Sequence, residues 1–205
     1  MNSNSPFIIG ITGTIASGKS LVGKILTERG VPVFDSDVIV HDLLTLDTPT
    51  RKAVTERFGQ SIVANKDGAI NRQALGQIVF SDANARKDLE AIVHPAVIEE
   101  SRRRIYAHPQ NAIVAILAPL LFEAGLRNEY NETWTITTNL EKLKQRLQQR
   151  DHLSEAEVEG RLAAQWSQEK KASLSDVVID NSGSPKETEK QVDVQLEKLK
   201  LKTVN

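Results

Sequence analysis

The stretch Phe7-Ile8-Ile9-Gly10-Ile11-Thr12-Gly13-Thr14-Ile15-Ala16-Ser17-Gly18-Lys19-Ser20 decides the fold. Its second half fits the phosphate-binding pattern G-x-x-x-x-G-K-[ST], and its first half is a short apolar, β-branched run of strand character. Leu21, Val22, Ile25 and Leu26 then recur at helical spacing up to Gly30, which supplies the strand, loop and helix order that the motif requires. Gly13 and Gly18 free the backbone to turn successive N–H groups inward on phosphate oxygens, with the positive end of the following helix behind them. Lys19 is placed to reach the β- and γ-phosphates, and Ser20 to hold Mg²⁺. A glycine-rich turn that ended in Lys-Ser by chance would not carry this flanking strand and helix. The motif alone names only a nucleoside triphosphate site, because motors, switches, transporters and small kinases share it.

Composition narrows the class. With 205 residues the chain is long enough for one well-buried core and an insertion, and short for two full domains. A formal net charge of −1 gives no broad positive field, so no nucleic-acid partner is expected and the partners are small molecules. The absence of cysteine excludes disulfides and thiolate metal sites, and the four histidines, at 41, 94, 108 and 152, lack metal-ligand spacing. Ala112 to Phe122 is the most apolar segment, is too short to span a bilayer and contains Pro119. Met1-Asn2-Ser3-Asn4-Ser5-Pro6 lacks the basic start and apolar stretch of a secretory signal. The expectation is a soluble cytoplasmic protein with no membrane partner, a monomer or weak homo-oligomer.

Strands and helices alternate in the order of a parallel α/β sheet. Pro32-Val33-Phe34 reads as a strand ending at Asp35-Ser36-Asp37; the segment from Val38 to about His108 reads as helical, in five pieces with Ala83–Ile92 separate from Pro95–Tyr106. The sheet resumes at Ala112–Leu117 and again at Thr133–Thr137, and a helix follows from about Leu140 to Arg150. A polar helix from about Ser154 to Ala172, a last strand at Asp176–Asp180 and a closing helix from about Lys186 to Lys200 complete the chain. Trp134 is expected in the core, whereas Trp166 fits either the core or the surface.

Two further groups of residues bear on chemistry. Asp35 and Asp37 stand where the second strand ends, and ligands of open parallel sheets gather beyond the carboxyl ends of strands. A carboxylate there suits a base that accepts the proton of an alcohol during phosphoryl transfer; equally, Ser36 or Asp37 would cap the helix beginning near Val38. Arg146 and Arg150 share one helix face, and Arg161 and Gln165 share another. The two arginines either close over a triphosphate or merely offset the helix dipole in water. Ser154-Glu155-Ala156-Glu157 resembles a helix start, which favours a lid of two helices joined at His152.

Taken together, these residues resemble the dephospho-CoA kinase family. The likeness runs nearly end to end: the phosphate loop, Phe34-Asp35-Ser36-Asp37 with His41, Gly68-Ala69-Ile70-Asn71-Arg72, Leu89–Pro95, Pro119-Leu120-Leu121-Phe122-Glu123, Arg146–Asp151, Arg161, Gln165, Lys170 and Asp176–Gly183. The resemblance implies a P-loop kinase-type three-layer α/β fold with a parallel sheet of about five strands, a helical substrate-binding insertion and a helical lid. In chain terms, residues 1–37, 109–145 and 173–205 form the nucleotide-binding core, 38–108 the acceptor domain and 146–172 the lid.

It implies ATP-dependent phosphorylation of the ribose 3′-hydroxyl of dephospho-CoA, the last step of coenzyme A synthesis, with ATP and Mg²⁺ required. Asp35 becomes the base, and Lys19, Arg146 and Arg150 join it in catalysis. Gly13, Thr14, Ile15, Ala16, Ser17, Gly18, Lys19, Ser20 and Leu21 hold the triphosphate, and Asn181 and Gly183 lie near adenine. Arg72, His94, Pro119 and Arg161 accompany Asp35 on the acceptor side, and Ser20 is the metal ligand.

The sequence also departs from the family pattern. Thr14 and Ala16 replace two glycines of the usual Gly-Gly-Ile-Gly-Ser-Gly-Lys-Ser, and Asn71 replaces a frequent aspartate. Ala16 adds only a methyl, which strains the loop if the residue takes a positive φ. A nucleoside or nucleotide kinase of related architecture is the alternative, opposed by the long insertion with Arg72 and His94-Pro95. A GTP switch is less favoured still: Asn65-Lys66-Asp67-Gly68 puts glycine where a guanine-binding aspartate belongs.

Overall fold

Ile8, Ile9 and Ile11 are all buried in β1 (Phe7–Thr12), because β1 lies inside a parallel sheet that is covered on both faces. The computed structural model describes residues 5–64 and 68–203; the Asn65-Lys66-Asp67 run weighed above lies outside them. On either side of β1, β3 (Ile113–Leu117) and β4 (Glu132–Thr137) pair with it in parallel, and β5 (Val177–Asp180) pairs in parallel with β4. With β2 (Val33–Asp35), the order is β2-β3-β1-β4-β5, the five-stranded parallel sheet and three-layer α/β fold expected.

The chain divides into two compact units, one comprising residues up to Phe34 and from His108 onward, the other Asp35–Ala107. In the first, α1 (Lys19–Glu28) and α9 (Pro185–Thr203) pack together over the sheet, joining Val22, Leu26, Val192 and Leu196 to Ile9 and Trp134. Trp134 is fully buried, as expected. Between β4 and β5 run α6 (Leu140–Asp151), α7 (Glu155–Ala163) and α8 (Gln168–Leu174). The single polar helix expected over 154–172 is therefore two. Ser167 accepts a hydrogen bond from the Lys170 N–H and caps a new helix, so the chain restarts after Gln165-Trp166.

The second unit consists of α2 (Ser36–Thr45), α3 (Pro49–Phe58), α4 (Arg72–Ser81) and α5 (Ala83–Tyr106) around Leu44, Val54, Ile62, Ile70, Leu75 and Val93. An isolated antiparallel bridge, Val63 with Ile70, is its only pairing of strand type among the described residues. The two helices expected on either side of His94 are one helix of 24 residues with Pro95 inside it. Proline removes a single N–H from the ladder, whereas Val93 and Ile105 on either side are buried and hold both halves on the same packing surface.

The last turns of α5 are tied to α2 by charge. Arg104 donates to Glu100 at 2.7 Å and to Asp42 at 3.0 Å, and Arg103 holds the same Glu100 carboxylate at 2.6 Å. The hydrogen bond from Arg103, with that from Arg104 added against the cost of burial, keeps the Glu100 carboxyl at about 2 instead of its ordinary 4.5. Because the folded value is depressed, this stabilisation is present above about pH 4.5 and is lost as pH falls toward 2. Glu100→Gln should therefore lower stability by about 1–2 kcal/mol at pH 7, and the gap to the unaltered protein should close between pH 4.5 and 2 in urea titrations.

Candidate active site

The phosphate loop is shaped by close contacts at its two glycines. A Cβ on Gly13 would lie 2.5 Å from the Ile136 carbonyl oxygen and 2.6 Å from the Ser17 hydroxyl, so β1 can enter the loop beside β4 only with glycine there. Gly18, at φ 107° and ψ 21°, turns the chain into α1, and a Cβ on it would overlap the Asn181 amide nitrogen. No side chain caps the start of α1 among the described residues, which leaves its N-terminal end to a ligand's negative charge. The Lys19 ammonium lies over its own loop, donating to the Gly13 carbonyl at 2.9 Å and the Thr14 carbonyl at 3.0 Å. Ser20 is exposed at the head of the helix, and Leu21 follows it with its N–H on the Gly18 carbonyl.

Ala16 is one of two non-glycine residues with positive φ among the described residues, at 61°. The concern raised by its replacing a glycine is thus met in the structure. Its methyl packs with Ile15 against Leu143, Leu147 and Val158, the small apolar cluster that joins α6, α7 and the loop. Thr14 and Ser17 are buried with hydroxyl oxygens that have no hydrogen-bond partner.

The second half of the chain brings three side chains to this loop. Arg146, half-buried on α6, points at the Ala16 and Asn181 carbonyls, each at 3.4 Å, long bonds that a phosphate oxygen would outcompete. Gln165 accepts the Ile15 N–H at 3.0 Å. Asn181 donates to the Ser17 carbonyl at 2.8 Å. The resemblance places Asn181 near adenine; the Asn181 side chain lies under the phosphate loop, and Gly183, two residues on, is exposed in the turn before α9. Gln165 stood in the sequence as one more residue of a family pattern. Its partner, 150 positions away, had no local signal.

Arg150 and Arg161 are placed differently. Asp151 accepts from Arg150 at 2.7 and 3.0 Å and from Arg161 at 2.6 Å, and His152 ends α6 in the left-handed conformation, φ 53°. The hydrogen bond from Arg150, with the charge of Arg161 beside it, holds the Asp151 carboxyl below its ordinary range. Arg146 therefore meets the phosphate loop directly, whereas Arg150 and Arg161 are held by their own counter-ion.

Pro119 is joined to the root of the loop through its carbonyl, which accepts the Thr12 hydroxyl at 3.1 Å and the Lys171 ammonium. Lys171 is wholly buried and paired with Glu123 at 2.8 Å; burial lowers its pKa and Glu123 opposes that shift. Glu123 also accepts the Trp166 N–H at 3.0 Å, and Lys170 covers the Trp166 ring at 3.3 Å. This buried pair, between positions 48 apart, was not foreseen.

Asp35 closes β2 and is itself the N-cap of α2, accepting the Asp37 N–H at 2.8 Å. The helix starts two residues earlier than expected, and neither Ser36 nor Asp37 is the cap. One Asp35 oxygen caps; the other has no partner among the described residues. Arg72 opens α4 after Asn71, whose side chain accepts the N–H groups of Gln73 and Ala74 at 3.1 Å, a helix cap that asparagine and aspartate make equally well. Arg72 and His94 are both exposed on the second unit.

The family model described as CoaE: Dephospho-CoA kinase matches residues 7–187. A dephospho-CoA kinase of Symbiobacterium thermophilum is 45% identical over 91% of this chain and 78% of its own, and one of Synechococcus sp. is 42% identical over 90% and 89%. Among solved structures, TT1252 from Thermus thermophilus is similar with TM-score 0.82 and 33% identity, covering 95% of this chain and 98% of that one. The dephospho-CoA kinase of Campylobacter jejuni gives 0.63 and 25%, covering 93% and 96%. A shikimate kinase of Aquifex aeolicus, at TM-score 0.51 and 18% identity with 93% and 96% covered, shares the fold.

The strained loop residue gives a direct test. The left-handed conformation costs an L-residue about 1–2 kcal/mol, more with a branched Cβ. Ala16→Val should lower stability by about 2 kcal/mol, and Ala16→Gly should raise it by up to about 1 kcal/mol because lost methyl packing offsets part of the relief. Urea midpoints of the two variants check both signs.

Proposed function

The chain belongs to the dephospho-CoA kinase family, and from that membership we propose how its residues divide the work of phosphorylating dephospho-CoA with ATP. The enzyme is a transferase that gives CoA and ADP in coenzyme A synthesis. The observation that carries this reading is the phosphate loop at the uncapped start of α1, with Lys19 above it and Arg146 beside it, in a chain whose family match spans residues 7–187.

The loop of residues 13–21 cradles the triphosphate with those backbone N–H groups not spent on Gln165 or on the loop's own carbonyls, and Lys19 moves from its loop carbonyls onto the β- and γ-phosphates. Asp35 accepts the proton of the ribose 3′-hydroxyl with its uncommitted oxygen. That hydroxyl oxygen bonds to the γ-phosphorus as the bond to the bridging oxygen breaks, and the electron pair stays on ADP. Arg146 neutralises charge on the transferring group, and Arg150 joins it from the lid once it exchanges Asp151 for phosphate. Arg161 stays near the lid end of the acceptor, whereas Arg72, His94 and the Pro119 turn serve its remaining length. Gly183 lies on the adenine side.

Mg²⁺ fits this loop as a hard cation held by the exposed Ser20 hydroxyl with phosphate oxygens and water completing its shell, where it would screen phosphate charge. No helix among the described residues is long and apolar enough to cross a membrane. We place the reaction in the cytoplasm and read the active species as a monomer or weak homo-oligomer with no nucleic-acid partner.

ADP release from ATP and Mg²⁺ tests the acceptor: dephospho-CoA should stimulate it and yield CoA, while adenosine, AMP and CMP should not. Stimulation by one of those alone would replace the acceptor and favour a nucleoside or nucleotide kinase. Asp35→Asn should cut kcat by about 10²-fold or more with ATP affinity nearly unchanged, and undiminished kcat would remove Asp35 from proton transfer.

A further inference from the structure

Asn181 is a polar side chain only 3% exposed, and both ends of its amide are hydrogen-bonded. The Nδ2 group donates to the Ser17 carbonyl at 2.8 Å, and Oδ1 accepts the hydroxyl of Thr188, itself fully buried on α9, at 3.0 Å. These partners fix which way round the amide sits. A carbonyl can only accept, so Nδ2 must face Ser17, and Oδ1 is left to Thr188. The backbone is held as well: the Asn181 N–H donates to the Thr137 carbonyl at 2.8 Å, and its carbonyl accepts the Thr138 hydroxyl at 3.1 Å. Asn181 is thus a rigid bracket between the ends of β4 and β5, the first turn of α9 and the phosphate loop.

What the bracket grips is the peptide between Ser17 and Gly18. In a trans peptide the C=O and the N–H point in opposite directions. Drawing the Ser17 carbonyl onto buried Asn181 therefore turns the Gly18 N–H away from the core, to the side on which phosphate oxygens must lie if they are to meet the loop's amides. The missing Cβ of Gly18 lets the amide nitrogen rest against this peptide, so glycine at 18 and asparagine at 181 are complementary.

We infer that Asn181, oriented by Thr188, is a positioning residue for nucleotide binding that sets the direction of the Gly18 N–H in the phosphate cradle. It acts through the loop, without touching the nucleotide's base. The inference rests on the loop's reading as the triphosphate site, and not on the identity of the acceptor.

The test is ADP affinity by calorimetry, together with KM for ATP, KM for dephospho-CoA and thermal melting, in Asn181→Asp, Thr188→Val and Thr188→Ser. Asn181→Asp keeps the shape but sets a carboxylate against the Ser17 carbonyl; ADP dissociation constant and KM for ATP should rise about 10-fold or more, with KM for dephospho-CoA changed less than about twofold. Thr188→Val should weaken ADP about threefold, and Thr188→Ser, which keeps the hydroxyl, should restore it. Unchanged ADP affinity in Asn181→Asp, or equal losses for both substrates that track the melting temperature, would overturn the inference. Should Asn181→Asp not fold, the Thr188 pair decides alone, because equal ADP affinity in the Val and Ser variants also overturns it. ADP binding is read without turnover, so an unaltered protein that binds ADP yet makes no CoA would remove the acceptor assignment and leave this inference standing.

Discussion

Gly18 holds a backbone conformation, φ 107°, that turns the chain from the end of β1 into α1, and the nucleotide site exists because that turn is made. The turn needs support on its inner side. Asn181 supplies it from just beyond β5, Gln165 from the α7–α8 connection and Arg146 from α6, so a loop of eight residues is shaped by side chains more than a hundred positions later. A parallel sheet makes this economical in geometry. All its strands end on the same edge, so every connection that leaves that edge can reach the loop.

The charges near the loop are arranged in two ways. Lys19 and Arg146 rest on neutral carbonyls, weak partners that a phosphate displaces at little cost. Arg150 and Arg161 instead share the one carboxylate of Asp151, and exchanging that carboxylate for a phosphate is close to an even trade. The first pair bonds carbonyls; the second shares a carboxylate. Lys171 and Glu123 belong to neither group. Their buried pairing fixes the turn after β3 to α8, where an isolated ammonium would be too costly to keep.

Much of the architecture was legible because it is periodic or local. The apolar run of β1, the helical spacing of α1 and the glycine pattern between them specify strand, loop and helix together; Ala112–Leu117 reads as a buried run and Thr133–Thr137 as a further strand, and both are strands to within a residue. The misreadings fall where packing outweighs a local rule. Pro95 reads as the first residue of a separate helix, yet Val93 and Ile105 keep α5 continuous; 154–172 reads as one helix, yet the Ser167 cap divides it. Ser36 and Asp37 read as the candidate caps of α2, whereas the cap is Asp35, a distinction of one or two residues that spacing does not resolve.

By itself, the sequence determined the kind of chemistry. Gly13, Gly18, Lys19 and Ser20 form a phosphate loop through backbone freedom and charge that depend only on local order along the chain, and the succession of strands and helices commits that loop to the edge of a parallel sheet. Only the tertiary structure decided how the loop is held. It put Asn181 beneath Ser17, set Arg146 on the loop and Arg150 on Asp151, and paired Lys171 with Glu123, because each of these contacts joins positions with no relation in sequence and arises only when the sheet brings their ends together.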